Sequence, residues 1–154
     1  MNLIISMCKE KLSEFEFVKP LQELIPDNKV KHYSKITKED IEKADKIILT
    51  GTALADFEYL KGNFSWIKDC EKPILGICAG MQVIAKAFNW KLVDQKVIGV
   101  NNTEIVEKND LISQDFSAYF LHTKGITGDF KTLAKVKDYP CMIKHPELAI
   151  YGCS

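Results

Sequence analysis

The sequence predicts an α/β fold: a single three-layer domain over residues 1–154, with a mostly parallel central sheet, helices on both faces and an additional strand-rich section. Three observations predict it. A chain of 154 residues is long enough for one sizeable core and too short for two ordinary domains. Short apolar runs alternate with amphipathic stretches over the first half. Strands separated by turns follow over the second half.

The first half alternates strands with helices, which is the pattern of a parallel sheet. Apolar or alternating runs predict strands at residues 3–7, 29–33, 46–50 and 73–77. Amphipathic spacing predicts a helical stretch interrupted at Pro20 and helices over residues 54–60, 64–70 and 79–88. Thr37 precedes a short helix over residues 38–43, and Asp40 is placed as the reciprocal acid of a capping box.

The second half changes to a strand-rich pattern after Asn89. It predicts strands at residues 91–93, 97–106, 118–122, 131–136, 141–145 and 149–153. Some of these strands should pair in antiparallel fashion. In a sheet of this kind, ligands bind at the carboxyl ends of the parallel strands, so we expect the functional site there.

Composition and charge exclude several classes of function. The chain has 21 basic and 21 acidic residues, and every basic residue is Lys, so it lacks both the net positive charge and the Arg side chains typical of nucleic-acid readout. Its amino-terminal apolar run is too short to cross a membrane. Five cysteines without a Cys-x-x-Cys pair predict neither a disulfide framework nor a metal site, and they favour a reducing cytoplasm.

One segment predicts chemistry. A buried strand runs through Gly76-Ile77-Cys78-Ala79-Gly80 directly into a helix, which is the pattern of a nucleophile elbow. Gly76 and Gly80 lack the Cβ atoms that would obstruct close packing of strand and helix around Cys78. At the amino terminus of the helix, free N–H groups favour the thiolate of Cys78, and the Ala79 amide can donate to an oxyanion. The other four cysteines are predicted to be inert.

The segment Gly76–Gln82 resembles the Gly-x-Cys-x-Gly-x-Gln signature of class I glutamine amidotransferases, and the likeness is closest to the small stand-alone subunits of GMP synthase. The resemblance covers nearly the whole chain and implies a flavodoxin-like core. It implies that Cys78 is the nucleophile, that Gly51 supplies the second oxyanion amide beside Ala79, and that Gln82 helps to hold glutamine together with the elbow glycines. Where this chain has Gly51-Thr52-Ala53, the family usually has Gly-Gly-Pro.

The resemblance also assigns two segments of the second half. His122 matches a histidine beside the mouth of the family's active site, and this histidine is not the catalytic base. Residues 141–152 look like the family's penultimate hairpin, after which the family continues into Phe-His-Pro-Glu, the source of the catalytic base. The letters His145-Pro146-Glu147 also spell a base and its orienting acid, but the surrounding residues align them one hairpin too early, so we favour a structural turn there.

The implied activity is hydrolysis of glutamine through a Cys78 thioester, with ammonia passed to a partner synthetase subunit, and it needs no cofactor. Three alternatives stay open for the base: a sequence that stops short of the family histidine, a base supplied by His145, His122 or a second chain, and an amidotransferase-like binding or regulatory module. A cysteine peptidase or γ-glutamyl hydrolase on the same elbow is a further enzyme alternative. An uncovered terminal strand predicts a homodimer.

Overall fold

A computed structural model describes residues 1–154 and contains nine strands and four α-helices. The strands are β1 (Asn2–Ser6), β2 (Asn28–His32), β3 (Lys46–Leu49), β4 (Ile74–Ile77), β5 (Lys91–Ile105), β6 (Phe116–Thr127), β7 (Lys131–Val136), β8 (Tyr139–Lys144) and β9 (Ile150–Cys153). The α-helices are α1 (Glu14–Phe17), α2 (Lys19–Leu24), α3 (Lys38–Lys43) and α4 (Ala79–Ala87). Short 3-10 helices occupy Lys11–Ser13, Tyr33–Lys35, Glu58–Lys61 and Ser65–Asp69.

All nine strands belong to one mixed sheet in the order β2-β1-β3-β4-β9-β8-β7-β5-β6. Strands β2, β1, β3, β4 and β9 run parallel, whereas the pairs from β9 to β8 and onward to β6 are antiparallel. The predicted α/β class, with its added strand-rich section, is therefore confirmed. The carboxyl ends of β3, β4 and β9 share one edge of the sheet, where the side chains of a site can meet.

Helices cover both faces of the parallel strands. On one face α4 and the 3-10 helices enclose a cluster of 21 buried residues that includes Leu3, Ile5 and Leu49. On the other face α1 and α2 pack near Ile4 and Val18. The side chains of β1 alternate between the two clusters because successive residues of a strand point to opposite faces.

Local signals in the first half are largely confirmed. Pro20 lies in the first turn of α2, which separates α2 from α1. Thr37 and Asp40 form the predicted capping box of α3. The helices expected over residues 54–60 and 64–70 are instead single 3-10 turns, each too short to complete an α-helix between loops that pack on the core.

Two expectations about strands are wrong. The strands expected at 91–93 and 97–106 are one strand, β5, with an irregular register between Asp94 and Val97. The terminal strand β9 does not leave an open edge, because it lies inside the sheet with β4 on one side and β8 on the other. The structure therefore has no open edge at β9 that would give a reason to expect a homodimer. No helix of the chain has the length and apolar character needed to span a membrane.

Candidate active site

Cys78 lies at a sharp turn between β4 and α4, where it is the N-cap residue of the helix. Its backbone has φ 48° and ψ −100°, a conformation that L residues rarely adopt and that costs roughly 1–3 kcal/mol when the surroundings enforce it. A Cβ on Gly80 would lie 2.3 Å from the Leu49 carbonyl oxygen, and one on Gly76 would lie 2.5 Å from the Gly80 carbonyl carbon. The predicted elbow geometry is therefore present, with glycine required at both flanks.

The neighbouring strand β9 fixes this turn from the other side. Ile77 is in register with Cys153, and the Cys78 N–H donates to the Cys153 carbonyl at 2.7 Å. The carboxyl end of β9 thus lies directly beside Cys78.

The side chain of Cys78 faces a small cleft of about 20 Å³, which is roughly the space of one water molecule. Its lining comes from both halves of the chain: Thr52, Ala53, Leu54, Asp56, Phe57, Tyr59, Cys78, Ala79, Gln82, Leu121, His122, Thr123 and Lys124. A molecule the size of an amino acid can enter only if the lining residues move apart. No group of three or more His, Cys, Asp or Glu side chains is arranged to hold a metal ion.

The thiol of Cys78 is less acidic than the sequence suggests. Burial raises its pKa, and this effect outweighs the hydrogen bond from the Ala79 amide, which lowers it. The Ala79 amide thus favours the thiolate in the expected direction, but the burial of the sulfur opposes it more strongly. The sulfur needs a base, or a cation beside it, to become a nucleophile at neutral pH.

His122 is the histidine that the fold brings to the cleft. It lies on β6, is 4% exposed, and neither ring nitrogen has a hydrogen-bond partner of good geometry. Burial lowers its pKa below the ordinary value of 6.5, although backbone groups of Gln95 and Lys124 offset part of that effect. The ring is therefore neutral at pH 7, with one nitrogen able to accept a proton and the other able to donate a hydrogen bond.

This geometry agrees with a match to a protein family. Residues 17–153 match the family model described as glutamine amidotransferase class-I. The chain belongs to the class-I glutamine amidotransferase family.

Curated relatives of this amidotransferase chain include two proteins named as glutamine-hydrolysing subunits of GMP synthase. The protein from Methanococcus aeolicus is 30% identical over 124 residues, which is 74% of this chain and 64% of the relative. The protein from Methanobrevibacter smithii is 29% identical over 150 residues, covering 89% of this chain and 73% of the relative. The chain thus spans less than two thirds of the Methanococcus relative.

Solved structures show the same fold. A Thermoplasma acidophilum protein, provisionally described as a GMP synthase subunit, superposes with a TM-score of 0.81 at 21% identity and covers 99% of this chain and 82% of its own. A glutamine amidotransferase from Thermotoga maritima gives a TM-score of 0.74 at 18% identity and covers 99% of this chain and 74% of its own. The flavodoxin-like core expected of the amidotransferase is confirmed.

Gly51 lies close to Cys78, since a Cβ at Gly51 would be 3.7 Å from Cys78 Cβ. Its carbonyl points inward and accepts from the Thr50 hydroxyl at 2.9 Å and the Cys8 thiol at 3.7 Å. The amides of Gly51 and Thr52 have no acceptor within the chain. Thr52, Ala53 and Leu54 of this loop line the cleft, whereas Gly51 does not.

His145 and Glu147 lie far from Cys78. His145 follows β8 in the turn that leads to β9, where its Nδ1 accepts from the amides of Glu147 and Leu148 at 3.1 Å. Its ring packs 4.5 Å from that of Phe88 at the carboxyl end of α4. Cys78 is at the other end of this helix, roughly 14 Å away at 1.5 Å per residue. The structure therefore agrees with the structural turn favoured above and contradicts the alternative of His145 and Glu147 as base and orienter.

Sequence reasoning missed two residues of the cleft in this amidotransferase. Asp56 accepts from Thr52 Oγ1 at 2.6 Å, from the Lys9 amide at 2.7 Å and from the Glu58 amide at 3.1 Å, and so it holds the loop after β3. Tyr59 hydrogen-bonds Gln82. Neither Tyr59 nor Asp56 stands in a recognisable motif. The nearest signal was the departure from Gly-Gly-Pro after Gly51, which marks a loop that needs other support.

Proposed function

We propose that the protein hydrolyses glutamine as the amidotransferase part of a GMP synthase, and that the ammonia passes to a partner synthetase. The observation that carries the proposal is Cys78, held in a strained elbow at the lip of a cleft in a class-I glutamine amidotransferase chain. The names of the two curated relatives support the synthetase partner.

The chemistry follows from the cleft. Cys78 Sγ attacks the side-chain amide carbon of glutamine, and the C–N bond breaks with release of ammonia, leaving a γ-glutamyl thioester. Water then cleaves the thioester to glutamate and restores the thiol. The negative oxygen formed at each addition accepts hydrogen bonds from the Ala79 amide and from the Gly51–Thr52 loop.

Both additions need a proton acceptor, because the Cys78 thiol is protonated at neutral pH and the attacking water must lose a proton. The carboxyl end of β9 adjoins Cys78, so a basic group held at that end of the sheet would be near enough to accept the proton. Among the three histidines of the chain, His122 alone lines the cleft. Its neutral ring is suited to contact the bound glutamine together with Gln82. Gly76 and Gly80 lie outside the lining and allow the close packing of strand and helix at Cys78.

A second function is favoured by one observation. The raised pKa of Cys78, which no neighbouring cation offsets, favours a module that binds or is acylated by glutamine and turns it over slowly. The cleft must widen for either substrate, so its size does not separate glutamine from a peptide; the family match favours glutamine over a peptidase substrate.

The decisive experiment measures glutamate and ammonia released from glutamine by the wild type, by Cys78→Ala and by the matched control Cys70→Ala. Cys70 is a buried cysteine outside the cleft. We expect Cys78→Ala to abolish release and Cys70→Ala to retain it. Equal rates in the wild type and Cys78→Ala would contradict the proposal.

A second arm separates the enzyme from the binding module. The diazoketone analogue 6-diazo-5-oxo-L-norleucine should alkylate Cys78 in either case, whereas only the enzyme releases glutamate over many turnovers. The other cysteines should stay unlabelled, since burial raises the pKa of Cys141 to about 11 and that of Cys153 to about 12. Label spread evenly over the five cysteines would refute a glutamine site in both forms.

A further inference from the structure

Tyr59 and Gln82 form a buried hydrogen bond in the wall of the cleft. The Tyr59 hydroxyl donates to Gln82 Oε1 at 2.6 Å. The two residues are only 2% and 3% exposed, and both line the cleft with Cys78. Gln82 stands one turn along α4 from the nucleophile, whereas Tyr59 comes from a 3-10 turn in a different part of the chain. The bond therefore ties the helix of the nucleophile to the loop region that closes the cleft.

The direction of this bond follows from the chemistry of the two groups. Burial raises the pKa of the Tyr59 phenol well above its usual value, so the group stays an O–H donor. A buried hydroxyl must donate to some acceptor, and Gln82 Oε1 is the one that Tyr59 contacts. The carbonyl end of the Gln82 amide is thereby held toward Tyr59. The NH₂ group must then point the other way, since the two ends of an amide lie on opposite sides of one carbon.

The Gln82 NH₂ group is free to donate hydrogen bonds to a ligand. It makes no hydrogen bond within the chain and, unlike the ring nitrogens of His122, it is not fully enclosed. It therefore keeps access to the outside, and the opening that Gln82 lines is the cleft beside Cys78. An NH₂ group offers two donors and no acceptor.

We propose that Tyr59 is a positioning residue that holds the Gln82 amide with its NH₂ group toward the cleft. The cleft then selects a ligand that presents a carbonyl or carboxylate oxygen at this point over one that presents an N–H group. The inference deepens the proposed function and rests on it only in taking glutamine as that ligand. Without the Tyr59 hydroxyl, the amide can rotate and present its oxygen instead, which repels an oxygen of the ligand.

The test compares two alkylating reagents on the full chain. 6-Diazo-5-oxo-L-norleucine reports on ligand recognition, and iodoacetamide reports on the reactivity of the Cys78 thiol alone. Tyr59→Phe should lower the second-order rate of Cys78 alkylation by the diazoketone roughly 2- to 10-fold, the value of one hydrogen bond. The iodoacetamide rate should stay within about a factor of two. Tyr119→Phe, which removes a hydroxyl from an exposed tyrosine outside the cleft, should change neither rate.

A double-mutant cycle shows whether Tyr59 acts through Gln82. Gln82→Ala should lower the diazoketone rate at least as much as Tyr59→Phe does, and Tyr59→Phe should have no further effect in the Gln82→Ala background. Additive losses would overturn the inference. An equal fall in the alkylation rates with both reagents in Tyr59→Phe would also overturn it, because that result indicates a general disturbance of the site.

A measurement without ligand keeps this inference separate from the proposed function. In ¹⁵N NMR spectra the side-chain NH₂ resonances of Gln82 should be dispersed in the wild type and in Tyr119→Phe, and should move toward the positions of free glutamine side chains in Tyr59→Phe. If the diazoketone fails to alkylate wild-type Cys78, the proposed function fails while the spectra still decide the orientation. Unchanged Gln82 resonances in Tyr59→Phe would overturn the role of Tyr59.

Discussion

The parallel and antiparallel regions of this protein differ in the size of their hydrophobic cores. The parallel strands with α4 hold the main cluster of 21 buried residues, whereas the antiparallel strands β5 to β8 hold a separate cluster of only five. Several apolar side chains of the β5–β6 ribbon stay exposed, including Val100 at 72% and Tyr119 at 66%. Cys78 follows β4 in the region with the larger core, and His122 lies on β6 in the region with the smaller core. A strained backbone conformation such as that of Cys78 persists only where the surrounding structure enforces it, and the larger core provides those surroundings.

The largest expected effect is a loss of stability caused by a substitution at the elbow of the parallel region. Gly80→Ala puts a Cβ 2.3 Å from the Leu49 carbonyl oxygen, and because backbone must shift to make room we expect a loss of about 3 kcal/mol in the free energy of unfolding. Gly51→Ala is the matched control, since its Cβ would meet nothing closer than 3.5 Å. Urea unfolding measures both. Equal stability of the two variants would show that the tight contact at Gly80 relaxes easily.

A matched pair of valines compares the two cores directly. Val83 in the large cluster and Val97 in the small one are both fully buried. We expect Val83→Ala to cost about 2–3 kcal/mol and Val97→Ala about 1–2 kcal/mol, because the small cluster collapses more easily around a cavity. Denaturant midpoints check the order. The comparison between regions would be wrong if Val97→Ala cost as much as Val83→Ala.

The pH dependence of stability should reveal the burial of His122. Its pKa is lowered in the folded protein, so the unfolded chain takes up a proton at a higher pH than the folded one. The burial of the neutral His122 ring therefore contributes its full amount to the free energy of unfolding above about pH 6.5. This contribution is lost as the pH falls toward and through the folded-state pKa. We expect the wild type to be less stable at about pH 5.5 than at about pH 7.5, and His122→Gln to show a smaller drop.

The control for that experiment is His145→Gln, which removes a histidine at the far end of α4. It should retain the wild-type pH dependence. A drop of the same size in the wild type and in His122→Gln would mean that other groups dominate the acid response.

The smallest expected effect is the loss of stability from replacing Asp40, at the margin of the parallel region. The Lys31 ammonium, with the Thr37 amide and Lys29, holds the pKa of Asp40 well below its usual range. Asp40→Asn removes this charge and keeps a capping oxygen, so we expect a loss of about 1 kcal/mol at pH 7. The stabilisation by the carboxylate is present above about pH 4 and is lost at lower pH, so the difference from the wild type should shrink in acid. Thermal unfolding at pH 7 and at about pH 3 measures it.

How much could be predicted depended on the range of the interactions. The capping box at Thr37, the break at Pro20 and the elbow around Cys78 all follow from residues within a few positions of one another. The 3-10 turns after Gly51 did not, because their length is set by packing on the core. The irregular register in β5 is likewise a product of its pairing with β6.

The sequence by itself determined the nucleophile elbow, since two glycines and a cysteine at the end of a buried strand leave the backbone few choices. Only the tertiary structure decided which distant side chains join Cys78. The way in which the antiparallel region folds against the parallel one brings His122 into the cleft. It leaves His145 at the opposite end of α4 from Cys78. It also buries Cys78 enough to raise the pKa of its thiol. Contacts across the sheet depend on strand order, and strand order is fixed by the packing of the whole core.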